Sequence, residues 1–134
     1  AILLLLSCWN SGAMPPYLSE SANVIEIIPN RFYWTSRRTL PKDTASSHYF
    51  STDSTLTYEP FSADFGPLNL SMTYRYCKMV EAKLNNPSYA NKSVIHVCSQ
   101  DAAMRTNAAA LVGLYQVIVM RKTAKQAYQP FAGV

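Results

Sequence analysis

The amino-acid sequence predicts an α/β domain, a central mixed sheet flanked by helices. Short β-branched and aromatic runs crowd the first half, helical spacing takes over near residue 70, and one apolar strand stands between two helical stretches. Residues 24–28 are a β-branched run broken by Pro29-Asn30, and residues 32–35 resume it, so the pair reads as strand, turn, strand. A polar loop with Arg37, Arg38, Pro41 and Lys42 leads to a third strand at 48–50, and residues 55–58 are expected to form a fourth. Asp64, Gly66 and Pro67 stop the sheet, with Asn69 placed to cap a helix. Leu70, Tyr74, Cys77, Val80 and Leu84 then recur at helical spacing until Asn85-Asn86-Pro87. Residues 94–98 are apolar on both faces, the mark of a central strand. Residues 108–120 are apolar nearly all round, the mark of a buried helix, with Gln116 as the main polar interruption. Thr123 and Gln126 form a capping box for a last short helix ended by Pro130.

The 134 residues fit one domain with one core, and 49% hydrophobic against 15% charged residues excludes a disordered chain. The net charge of +4 is unevenly placed. Residues 1–101 are neutral, whereas the remainder carries Arg105, Arg121, Lys122 and Lys125 with no acid. A nucleic-acid or anionic-lipid footprint needs a denser basic face, so these cations read as solvated helix ends, and neither nucleic acid nor membrane is an expected partner. Cys8, Cys77 and Cys98, with His48 and His96, show no metal-ligand spacing. No metal and no cofactor are therefore expected, and unpaired cysteines suit a reducing, intracellular compartment. The apolar run near the start spans five residues, too few to cross a bilayer, and lacks the flanks of a secretory signal. Residues 1–20 are expected to be an extension outside the fold, residues 21–134 to be the domain, and both ends read as those of a fragment.

One stretch, HVCSQDAAMRTNAAALVG, carries a chemical outline. A strand ends in His96 and Cys98, Arg105-Thr106 follows, and a helix begins. A cysteine-dependent phosphatase needs a thiolate held by a helix N-terminus, backbone amides converging on phosphate, and an arginine gripping two phosphate oxygens. Its usual signature is His directly before Cys, five residues, then Arg and Ser or Thr. Here Val97 separates His96 from Cys98, six residues separate Cys98 from Arg105, and none is glycine. Asp101 adds a negative charge where phosphate would sit. Cys98 therefore reads as a buried strand end and His96 as a packed residue. Arg105-Thr106 reads as structural, with Thr106 and Asn107 available as caps. The DFG triplet at 64–66 stands without the other kinase motifs and carries nothing.

The blocks YFSTD, ADFGPLNL, YRYC and RTNAA, and the surrounding residues from about Val24 to Val134, closely resemble the amino-terminal domain of the cell-division-cycle-fourteen dual-specificity phosphatases. The resemblance implies a dual-specificity/tyrosine-phosphatase-like fold in the first of two tandem domains. In that family the second domain carries the Cys nucleophile, Arg and general-acid Asp, and the first helps shape the substrate groove. Those catalytic positions would lie beyond Val134, so the resemblance gives this chain no catalytic residue. The family groove is acidic and favours phosphoserine followed by proline, with basic residues further along. By that resemblance Asp101 is the substrate-facing acid, with Glu20 and Glu26 as weaker candidates, and His96, Cys98, Arg105 and Thr106 form a degenerate loop.

The function expected is that of a non-catalytic substrate-docking domain, in a parent enzyme acting at proline-directed sites in mitotic exit and cell-cycle control. The expected partners are a carboxy-terminal catalytic domain of the same chain and phosphoprotein substrates with basic residues after the phosphosite. The resemblance also implies residence in the nucleus or nucleolus, the cytoplasm, and the spindle pole or centrosome. Two rival readings remain: an active phosphatase using Cys98 and Arg105, and a phosphate- or polyanion-binding module using Arg105 and the basic tail.

Overall fold

The computed structural model describes residues 24–56 and 70–131. Strands β1 (Ile25–Ile28) and β2 (Phe32–Ser36) pair as an antiparallel hairpin. Its turn carries Asn30 at φ 59°, a left-handed conformation that Asn tolerates better than most residues. Glu26 fastens the hairpin by accepting from the Asn30 N–H at 3.3 Å and the Tyr33 hydroxyl at 3.1 Å. Strands β3 (Ser47–Phe50) and β4 (Ser93–Cys98) complete a mixed sheet of order β1-β2-β4-β3, with β4 parallel to both its neighbours. Parallel neighbours require a crossover, and helix α1 (Leu70–Leu84) lies within the one joining β3 to β4. Helices α2 (Ala102–Ile118) and α3 (Ala124–Tyr128) follow β4. The domain is thus α/β with helices flanking a mixed sheet.

Side chains from every one of these elements except α3 meet in one core, where Phe32, Val94, Tyr76, Leu111 and Tyr115 are fully buried. Burying each such side chain contributes about 1.5–3 kcal/mol. Phe32 meets Tyr115 edge-on at 5.7 Å, and Trp34 meets Phe131 at 5.6 Å. The Tyr115 hydroxyl donates to Glu81 at 3.1 Å, tying α2 to α1. Gln116, the polar interruption in α2, is buried because its amide donates to the Ala127 carbonyl and accepts from Lys122. The capping box of Thr123 and Gln126 is formed, at 3.1 and 2.9 Å.

Three expectations are corrected. Thr55 and Leu56 lie in a turn rather than a fourth strand, since both N–H groups donate back to the Thr52 carbonyl and are lost to any ladder. The remaining residues of that stretch, 57–58, lie outside the described residues, as do Asp64, Gly66, Pro67 and Asn69. The buried stripe of α1 is Thr73, Tyr76, Cys77 and Val80, leaving Leu70 80% and Tyr74 61% exposed. Hydropathy misplaced this face because the polar tip of Tyr76 finds a partner inside the core. Helix α2 begins at Ala102, six residues earlier than its apolar run, because Asp101 caps it.

Candidate functional site

The loop that joins the end of β4 to α2 is the place where a phosphate would be cradled. Four of the amides from Ser99 to Arg105 are already engaged. The Ser99 N–H donates to the Asp53 carboxylate at 2.6 Å, and the Asp101 N–H donates to the Ser99 hydroxyl at 3.1 Å. The Met104 N–H donates to the Asp101 carboxylate at 3.2 Å, and the Arg105 N–H donates to the Asp101 carbonyl at 2.9 Å. Among the described non-glycine residues only Asn30 and Arg121 have positive φ, so no residue of this loop adopts the left-handed geometry that curves a backbone around an anion. Two internal carboxylates thus occupy donors that an active loop would turn towards phosphate. Burial, with the neighbouring charge of Asp101, raises the Asp53 carboxyl above its ordinary value, although the Ser99 N–H opposes this.

His96 is fully buried beneath this loop. Its Nδ1 lies 2.8 Å from the Tyr76 hydroxyl and its Nε2 lies 3.1 Å from the Thr52 hydroxyl, while its ring stacks on Phe50 at 4.9 Å. Both ring nitrogens are therefore occupied by groups that can donate or accept, which satisfies either neutral tautomer. Burial lowers its pKa to about 3, so the ring stays neutral at physiological pH. Cys98 is 1% exposed. Burial first, and the Asp53 carboxylate second, push its thiol up to about 12 against the opposing charge of Arg105. This is the reverse of the depressed thiol that a nucleophile needs. In the folded chain, iodoacetamide at neutral pH is expected to leave Cys77 and Cys98 unmodified, with peptide mass spectrometry finding both alkylated only after denaturation. Rapid native labelling at Cys98 would contradict its burial.

Arg105 is buried, and its Nε has no hydrogen-bond partner among the described residues. Thr106 does not cap α2, contrary to expectation, because the helix starts a turn earlier and the hydroxyl instead donates to the Ala102 carbonyl at 2.8 Å. Asn107 is likewise buried inside the helix rather than at its start. Asp101 is exposed beside the loop as the N-cap. Glu26 is not brought together with it. That residue sits on β1, two strands from β4 and opposite Tyr33, which pairs with Ile95 rather than with the Cys98 end. Two strand spacings alone separate them by about 10 Å. Glu20 lies outside the described residues. Among the described residues no three His, Cys, Asp or Glu side chains are grouped to hold a metal ion. Asp53 was invisible to motif reading, since nothing local in YFSTD signals a bond to an amide 46 residues away.

The family model described as dual specificity protein phosphatase, N-terminal half, matches residues 26–134. The chain belongs to this family. Among its curated relatives are dual specificity protein phosphatase CDC14AB of Danio rerio, 48% identical over 78% of this chain, and CDC14A of Homo sapiens, 45% identical over 83%. The tyrosine-protein phosphatase CDC14 of Saccharomyces cerevisiae is 34% identical over 84%. The matched segment covers 17%, 19% and 20% of those three relatives, so the chain spans about a fifth of their length.

Proposed function

We propose that this chain is the non-catalytic, substrate-docking part of a dual-specificity protein phosphatase. A carboxy-terminal domain of the same polypeptide performs the chemistry, forming a cysteinyl-phosphate and hydrolysing it without metal. The observation that carries the reading is the partly self-occupied loop: Asp53 and Asp101 hold the amides of Ser99 and Met104, and Cys98 lies buried with a raised thiol. The rival of an active Cys98–Arg105 centre fits these facts poorly. Docking contributes by holding a peptide in register, which lowers the barrier without any reacting group. Asp101, exposed at the loop, is the acid this reading assigns to basic residues following a proline-directed phosphosite, while the Glu26 carboxylate accepts from Asn30 and Tyr33 within the β1–β2 hairpin. On this reading the parent works inside the cell in mitotic exit.

The test uses Asp101→Asn in the full-length protein, because Asn retains the capping oxygen while removing the charge. With a phosphoserine-proline peptide bearing a downstream lysine, KM is expected to rise about two- to fivefold, the worth of one exposed charge pair. Turnover of a generic aryl phosphate should stay unchanged. An unchanged KM for that peptide would remove Asp101 from the docking surface. Aryl-phosphate turnover by the 134-residue chain alone, abolished in Cys98→Ser, would overturn the non-catalytic reading itself.

A further inference from the structure

A second feature lies at the other end of α2. That helix has 17 residues and is therefore about 25 Å long, so its C-terminal end is remote from the loop at Cys98. There a broad surface cavity of about 440 Å³, widely open to solvent, is lined by Met120, Arg121, Lys122, Lys125, Gln126 and Gln129. Three of the four bases in the acid-free segment after Asp101 converge on it. Among the described residues none of the three has a carboxylate within ion-pair distance.

The local chain explains the convergence. Arg121 has φ 59°, which reverses the backbone between α2 and α3 and puts Arg121, Lys122 and Lys125 around one concavity. Lys122 is anchored rather than loose, donating to the Gln116 side chain at 2.9 Å while its N–H donates to the Gln116 carbonyl at 3.1 Å. Partial burial lowers its pKa, a cost that a bound anion would offset. Gln126 spends its amide oxygen on the Thr123 N–H, which leaves its NH2 to donate. The polar lining thus offers guanidinium, ammonium and amide donors, and Met120 adds an apolar wall.

We propose that this cavity binds a phosphomonoester dianion, with Arg121, Lys122 and Lys125 supplying charge-assisted hydrogen bonds. Three terminal phosphate oxygens match three cationic donors, and arginine can hold two oxygens at once. The cavity is larger than a phosphoryl group and leaves room for the group that carries it. A nucleic-acid strand fits less well, since backbone binding uses a row of some 6–10 phosphate contacts rather than one concave site. The site stands apart from the docking surface at Asp101, and either can fail without the other.

The experiment is a titration of the nitrogen-15-labelled chain followed by amide NMR shifts, at constant ionic strength. The probes are inorganic phosphate, a short phosphoserine peptide with its unphosphorylated twin, and adenosine 5′-monophosphate, with chloride as control. Saturable shifts confined to the amides of residues 120–129 are expected for the phosphate-bearing probes alone. Tighter binding of the phosphoserine peptide would assign a protein-borne source, and tighter binding of the nucleotide a small-molecule source. The double substitution Arg121→Asn with Lys125→Gln should weaken binding about tenfold or more while leaving the melting temperature in place, since Asn tolerates the positive φ. Should that pair fail to fold, Lys125→Glu on the exposed side of α3 serves the same purpose. Unsaturable shifts shared equally with chloride, or saturable binding that survives both variants, would overturn the proposal.

Discussion

Lowering the pH from 6.5 to 4.5 is expected to destabilise the domain by roughly 2–3 kcal/mol through His96 alone. In the unfolded chain this imidazole titrates near its ordinary value of 6.5, whereas in the folded core it stays neutral down to about 3. Between those values the unfolded state binds the extra proton, so stability rises with pH across the window at about 1.4 kcal/mol per unit. The contribution is complete above 6.5 and is lost on acidification. Urea midpoints at pH 7.0, 5.5 and 4.5 measure it. His96→Gln should be less stable at pH 7, because the Tyr76 and Thr52 hydroxyls lose an ideal partner, yet its stability should be much flatter over the same range. Asp43, held below its ordinary 3.8 chiefly by the hydrogen bond with His48, adds acid sensitivity only near and below that value, under the pH range of these measurements. A wild-type chain as flat as His96→Gln would mean the imidazole is not held neutral.

Arg31→Ala is expected to cost about 2–4 kcal/mol at neutral pH, a loss unconnected with any site chemistry. The guanidinium of Arg31 donates to the carbonyls of Leu84 at 2.7 Å and Tyr89 at 2.5 Å, and also to that of Lys92. Those three carbonyls lie at the end of α1 and in the connection to β4, so one side chain clamps that connection to the β1–β2 hairpin. The Arg31 carbonyl reinforces it by accepting from the Val94 N–H at 2.7 Å. Removing the side chain leaves part-buried carbonyls without donors, which is the costly way to lose a hydrogen bond. Arg31→Lys should restore little, since a single ammonium cannot reproduce a planar fork aimed at three acceptors. The check is the urea midpoint with an unchanged slope. A loss below about 1 kcal/mol would show that water replaces the clamp.

Much of this molecule was legible without coordinates, for a local reason. Strand runs, the Pro29-Asn30 turn, the capping box at Thr123 and the central apolar strand all depend on residues close in sequence, where propensity and hydrogen bonding act directly. The gapped spacing from Cys98 to Arg105 and the absence of glycine likewise argued against a phosphate loop before any atom was placed. What occupies the loop instead depends on residues far apart in the chain. Asp53 meets Ser99 across 46 positions, Thr52 and Tyr76 meet His96 across 44 and 20, and Arg31 meets its carbonyls across 53 to 61. The same dependence turned α1 so that Tyr76 faces inward and Leu70 outward, since a tyrosine can be buried wherever its hydroxyl finds a partner. Residue order determined most of the elements and argued against a cradle. Only folding decided which distant donor and acceptor would satisfy one another, because a buried polar group is stable through partners that the chain's own order does not place beside it.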